Sequence, residues 1–129
     1  MNKIILGLCF LIFFECPSVF GQNLKPQEGK ALVVFYRTKK FSGGAIQFNV
    51  KDSEKFYGPL KNGTTIKVNI EPGEHTFFSQ VISSDAITLT VEEGKTYYVK
   101  GTVKMGALAG RPKFEQVDEK KALKEMNSN

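Results

Sequence analysis

His75 is the only histidine among the 129 residues, and this bounds the available chemistry. A serine triad would have to use it as base, yet no serine stands in a nucleophile-elbow pattern. It follows Pro72-Gly73 directly, where a polar ring is expected to hydrogen-bond the turn rather than act as a general base. The two cysteines, Cys9 and Cys16, both fall in an apolar N-terminal stretch. The rest of the chain therefore has no thiol nucleophile and no Cys/His zinc site. Glu92-Glu93 are neighbours, and adjacent strand residues face opposite ways, so they suit turn solvation better than acid/base work. Asp118-Glu119 fits the positive end of a helix. Asp52-Ser53-Glu54 does not continue into the alternating oxygen ligands of a calcium loop. Gly106, Gly110 and Arg111 lack the Gly-Lys-Ser/Thr ending of a phosphate loop. Asn62-Gly63-Thr64 fits a glycosylation sequon, but a glycine turn explains the same residues. No metal, no cofactor and no catalytic residue is expected.

What remains is charge and surface. The chain carries 18 basic and 13 acidic residues, net +5. Basic residues cluster at Arg37-Thr38-Lys39-Lys40 and at Lys120-Lys121-Lys124. A nucleic-acid surface needs a continuous basic stripe with stacking aromatics. Lys55-Phe56-Tyr57 with Lys61 is the nearest approach, and solvated strand faces account for it, so no nucleic-acid partner is expected. A weak attraction to anionic envelope polymers is consistent with the net charge. Arg37, Lys39, Lys40 and Arg111 are the candidate contact residues, carried by loops at residues 38–44 and 105–111. The apolar Met105, Ala107 and Leu108 of the second loop are expected to tuck under the fold.

These residues need a scaffold, and hydrophobic periodicity describes one. Residues 30–37, KALVVFYR, are apolar on both alternating faces, the mark of a strand covered on both sides. Residues 45–50 put Ile46, Phe48 and Val50 on one face, against Gln47 and Asn49. Residues 52–55 form a turn. Residues 56–60 form a short strand interrupted by Gly58-Pro59, hence an edge. Asn62-Gly63 is a hairpin signal, followed by an alternating strand at 64–70 with Ile66, Val68 and Ile70 inward. Pro72-Gly73 is a type II turn signal leading into a return strand at 75–82. Residues 83–85 read as a loop. Ile87, Leu89 and Val91 mark the next strand, and Tyr97, Val99 and Val103 another at 96–104. A short strand at 114–117 ends the series. Asp118 is an N-cap for a helix to about Met126, with Ala122, Leu123 and Met126 on one side. Seven to eight short strands and one terminal helix predict an all-β fold, an antiparallel β-sandwich with a short C-terminal helix.

The N-terminus carries an export signal. Lys3 precedes residues 4–14, IILGLCFLIFF, an uncharged run of about eleven residues, too short to span a bilayer and right for a signal-peptide h-region. Val19 and Gly21 occupy the positions a signal peptidase reads, which places the cut between Gly21 and Gln22. The expected organisation is a signal peptide at 1–21, a short leader at 22–29 and one domain at 30–129. Removing Lys3 and Glu15 takes one charge of each sign and leaves the net at +5. Cys16 follows Phe13-Phe14-Glu15, a poor lipid-attachment box, so the processed chain is expected to be periplasmic or secreted rather than lipid-anchored. Without a disulfide, a domain of about 108 residues must be held by apolar packing.

Several stretches together resemble a family of small bacterial exported proteins, domain of unknown function 2846, often labelled lipoproteins. They are Lys30-Ala31 leading to Phe35-Tyr36-Arg37, then Gly58, Leu60 and Asn62-Gly63-Thr64, then Pro72-Gly73 with His75-Thr76. Gly94-Lys95 with Tyr97-Tyr98-Val99-Lys100, Gly110-Arg111-Pro112, and Val117 with Ala122-Leu123 complete the set. The resemblance implies a bacterial envelope β-sandwich with no agreed activity. Pro-Gly-Glu-His followed by Gly-Lys-Thr-Tyr-Tyr also resembles surface-layer sandwich modules. The expected role is a non-catalytic binding or structural module, its partner an envelope protein or polymer. The alternative is a glycan-acting enzyme in which Tyr97 or Tyr98, Lys100 and a glutamate converge in one deep pocket.

Overall fold

The computed structural model describes residues 24–40, 46–80, 84–105 and 110–128. The expected signal peptide, Cys9, Cys16 and the Gly21/Gln22 junction lie outside the described residues, as do Gly43-Gly44 and residues 106–109. Among the described residues no helix is long and apolar enough to cross a membrane.

The described residues form eight strands and one helix, in order: β1 (Ala31–Tyr36), β2 (Phe48–Lys51), β3 (Phe56–Leu60), β4 (Thr65–Ile70), β5 (Gly73–Gln80), β6 (Ser84–Val91), β7 (Thr96–Met105), β8 (Gly110–Val117) and α1 (Glu119–Asn127). They form two four-stranded sheets, β4-β1-β7-β8 and β3-β2-β5-β6. The mainly β fold is as the alternation predicts. Every pairing is antiparallel except β1 with β7, which run parallel from Leu32↔Thr96 to Tyr36↔Lys100.

β1 is buried at all six positions because a layer covers each of its faces. Val33 and Phe35 face the second sheet, in a core with Phe48, Val50, Leu60, Phe77, Leu89, Val99 and Phe114. Phe35 and Phe77 meet edge-on, ring centroids 5.0 Å apart, a favoured aromatic geometry. Leu32, Val34 and Tyr36 face the other way, packing with Tyr98 and Ala122 of α1. Asp118 caps α1, its carboxylate accepting from the Lys121 N–H at 2.8 Å. Glu125 then fastens the helix near its C-terminus. It accepts from the Tyr36 hydroxyl at 2.7 Å and from Lys100 Nζ at 2.6 Å.

Three expectations need correction. Asn62-Gly63 and Pro72-Gly73 are turns, but neither makes a hairpin: β3 and β5 lie in one sheet and β4 in the other, so both turns carry the chain across the sandwich. Asp85 and Ser84 belong to β6 rather than a loop, and the Ser79 hydroxyl accepts from the Asp85 N–H at 3.2 Å. Gly110 and Arg111 belong to β8, which starts four residues before the expected Phe114. Pro112 does not stop the strand because, among the described residues, β8 pairs with β7 alone and its other edge has no ladder.

Candidate functional site

The order of strands sorts the turns into two ends. One end carries the segments after β1, between β3 and β4, between β5 and β6, and between β7 and β8. The other carries the segment before β1 and the β2–β3, β4–β5 and β6–β7 turns.

The first end is cationic. Lys39, Lys40, Lys61, Lys104, Arg111 and Lys113 are all exposed there. Segments 38–47, 61–64 and 104–113 contain no acidic residue. Lys104 and Arg111 are direct cross-strand partners, and Lys113 pairs with Thr102 two residues along the same face. Contact with the Lys113 ammonium pulls the Lys104 pKa below its ordinary value, with Glu115 opposing. The Asn62 amide builds this end. It accepts from the Lys40 N–H at 2.9 Å and donates to the Lys40 carbonyl at 2.9 Å, holding the 38–40 segment to the β3–β4 turn. Gly63 has a φ of +74°, and a Cβ there would lie 3.3 Å from Lys39 Cβ, which favours glycine at this position. Asn62 thus acts as a turn clamp, in keeping with the turn explanation of the sequon.

Arg37 leaves the expected contact set. It is 4% exposed. Its Nη1 donates to the carbonyls of Ile46 at 2.6 Å and Leu60 at 3.0 Å, and its guanidinium lies 5.2 Å from the Phe48 ring centroid. Burial lowers its pKa from the ordinary arginine value. Two carbonyls and an aromatic face compensate a charge that would otherwise be costly to bury. Lys39, Lys40 and Arg111 keep their surface positions. Lys61, Lys104 and Lys113 join them, which the sequence signals only by the lack of carboxylates in three separated segments.

The second end carries an open groove of about 540 Å³ between the 52–55 turn, the β4–β5 connection and the start of β5. Asp52 organises one wall. Its carboxylate accepts from the Glu54 N–H at 2.8 Å, the Lys55 N–H at 2.6 Å and the Tyr57 hydroxyl. Burial alone would raise the Asp52 pKa, but these hydrogen bonds outweigh it and hold the carboxyl below its ordinary range. Burial and the same bond push the Tyr57 phenol up. Opposite, His75 Nε2 lies 2.7 Å from the Glu71 carbonyl. A carbonyl only accepts, so Nε2 donates, and His75 ties the Pro72-Gly73 turn as its position predicts. Glu54, Glu71 and Glu74 are exposed along this groove.

None of Tyr97, Tyr98 and Lys100, the residues proposed for a glycan enzyme, lines this groove. The Tyr97 hydroxyl accepts from the Glu92 N–H at 2.9 Å, within the β6–β7 turn. Tyr98 packs under α1, and Lys100 is paired with Glu125. Lys55-Phe56-Tyr57 and Lys61 stand at opposite ends of β3, so they form no continuous basic stripe. Among the described residues no three His, Cys, Asp or Glu side chains gather as metal ligands would.

These features define a predominantly antiparallel β-sandwich with a helix packed on one sheet. The chain belongs to the family "Protein of unknown function (DUF2846)", whose model matches residues 27–112. An uncharacterized protein of Haemophilus influenzae is 28% identical over 110 residues, covering 82% of this chain and 65% of its own. A UDP-N-acetylglucosamine 1-carboxyvinyltransferase of Chlamydia abortus is 32% identical over 98 residues, covering 69% of this chain and 21% of that enzyme. The chain therefore spans less than two thirds of the length of these curated relatives.

Proposed function

We propose that this protein is an exported, non-catalytic binding module that holds an anionic polymer of the bacterial envelope on the cationic end of its sandwich. One observation carries the reading: strand order gathers Lys39, Lys40, Lys61, Lys104, Arg111 and Lys113 at a single end. β1, with six residues, separates this end from the acidic groove by about 20 Å. The screening length near physiological salt is about 8 Å, so the carboxylates of one end do not cancel the field of the other. A flexible polyanion meets donors on three separate segments, an arrangement suited to capture rather than to chemistry. The apolar leader at residues 4–14 supports export. The carboxyvinyltransferase shares only 21% of its length with this chain, and its reaction is not carried over.

Long-chain polyphosphate serves as the probe. Lys104→Glu with Lys113→Glu is expected to weaken binding by about tenfold or more, on the scale of ~1 kcal/mol per cation near an anionic surface. Glu54→Lys with Glu71→Lys is expected to leave binding equal or tighter. Equal affinity of the cationic-end variant and the unmodified protein would remove the proposal. For export, the intact mass of the protein recovered from the periplasm should correspond to a chain starting at Gln22.

A further inference from the structure

The second end carries a separate feature that does not depend on the cationic one. Among the described residues β2 meets β5 at three positions, Asn49↔Gln80, Val50↔Ser79 and Lys51↔Phe78. β6 accompanies β5 along its whole length, from Gly73↔Val91 to Gln80↔Ser84. Residues 73–77 thus have a strand on one side and, among the described residues, none on the other. That side opens on the groove, which Glu74, His75, Thr76 and Phe78 line.

We infer that the open edge of β5 at residues 74–77 is a strand-addition site for an extended, basic peptide segment of a partner protein. A strand edge presents alternating N–H and C=O groups that an incoming strand satisfies. Folded proteins blunt such edges with proline, lysine, bulges or cover. Here the outer strand β3 carries Pro59 and pairs through an irregular register at Val50/Lys51. β6 is tied to β8 by the Asp85 carboxylate, which accepts from the Phe114 N–H at 2.8 Å. The sequence Glu74-His75-Thr76-Phe77 carries no proline and no lysine. Residues 73–77 extend for about 16 Å, enough to pair four or five residues of a partner.

Charge selects the occupant. Glu54, Glu71 and Glu74 rim the groove against Lys30 and Lys55. Lys30 Nζ lies 3.9 Å from Glu71, and Lys55 Nζ lies 5.6 Å from the Tyr57 ring centroid. Asp52 is engaged by Tyr57 and two backbone N–H groups. Glu54 and Glu74 then face an incoming strand with their charge, in a protein that is net positive elsewhere. A segment alternating lysine or arginine with small or β-branched residues places its cations toward these carboxylates, with its backbone on β5.

The probe is a blocked synthetic peptide of about ten residues alternating lysine with valine and threonine, beside a counterpart with glutamate for lysine. Backbone amide shifts and hydrogen exchange are read on the full-length processed protein. The basic peptide is expected to shift the amides of residues 74–77 and slow their exchange. Glu54→Lys with Glu74→Lys should weaken binding by about tenfold or more, while Lys104→Glu with Lys113→Glu leaves it unchanged, separating this site from the polyanion end. Four results would overturn the inference: no response at about 1 mM peptide, equal binding of the acidic peptide, response confined to the cationic end, or β5 already paired with a second copy in solution.

Discussion

Replacing Arg37 separates a structural arginine from a ligand-binding one. Arg37→Ala removes a guanidinium that donates to the carbonyls of Ile46 and Leu60 and lies over Phe48. Leaving the buried Leu60 carbonyl without this donor costs about 1–3 kcal/mol, and loss of the cation–π contact about 1 kcal/mol. The part-buried bond to Ile46 adds about 1 kcal/mol. Escape from guanidinium desolvation offsets some of this, leaving a net loss of about 3 kcal/mol. With a urea m-value of roughly 1–3 kcal/mol/M, the unfolding midpoint falls by about 1–3 M. Arg37→Lys keeps the charge but not the fork, and should lose about half as much. The assay is urea unfolding followed by circular dichroism, paired with polyphosphate affinity measured where each variant is folded. A midpoint unchanged within about 0.3 M, together with a tenfold loss of affinity, would refute this reasoning and return Arg37 to the surface set.

Gly101→Ala should cost about 1–3 kcal/mol by overpacking, because its Cβ would lie 2.8 Å from Phe48 Cζ and 2.9 Å from Leu60 Cδ2; Leu60→Ala in the same chain should recover part of the Gly101→Ala penalty in thermal unfolding. Glu125 is drawn two ways: burial raises its pKa, but the bonds from Lys100 and Tyr36 prevail and lower it. A carboxyl depressed in the folded state stabilises fully above its unfolded value near about 4.3, and that stability is lost as pH falls through the folded value. Acid titration of the unmodified protein should therefore release α1 below about pH 4, whereas Glu125→Gln should show a weaker acid dependence and a helix already loosened at neutral pH. Tryptophan placed at Met126 would report the release by fluorescence.

Local chemistry was readable and long-range pairing was not. The all-apolar run of β1 signalled cover on two faces, and Ile66, Val68 and Ile70 pointed inward as their alternation required. Asp118 capped α1, and His75 bonded its turn, because both interactions span only three or four residues. Asn62-Gly63 and Pro72-Gly73 fix a chain reversal but not which sheet receives the next strand, so two apparent hairpins became crossings. The parallel β1–β7 pair joins segments more than 60 residues apart and leaves no local trace. Arg37 ended an apolar strand and read as surface, since the carbonyls that accept from it belong to Ile46 and Leu60. The cationic end is distributed over segments that only the strand order brings together.

Backbone shift mapping of the protein during titration with polyphosphate tests that end most directly. Perturbations are expected to concentrate at Lys39, Lys40, Lys61, Lys104, Arg111 and Lys113 and to fade as salt is raised. Perturbations centred on the groove at Asp52 and His75, or none at any salt concentration, would contradict this expectation.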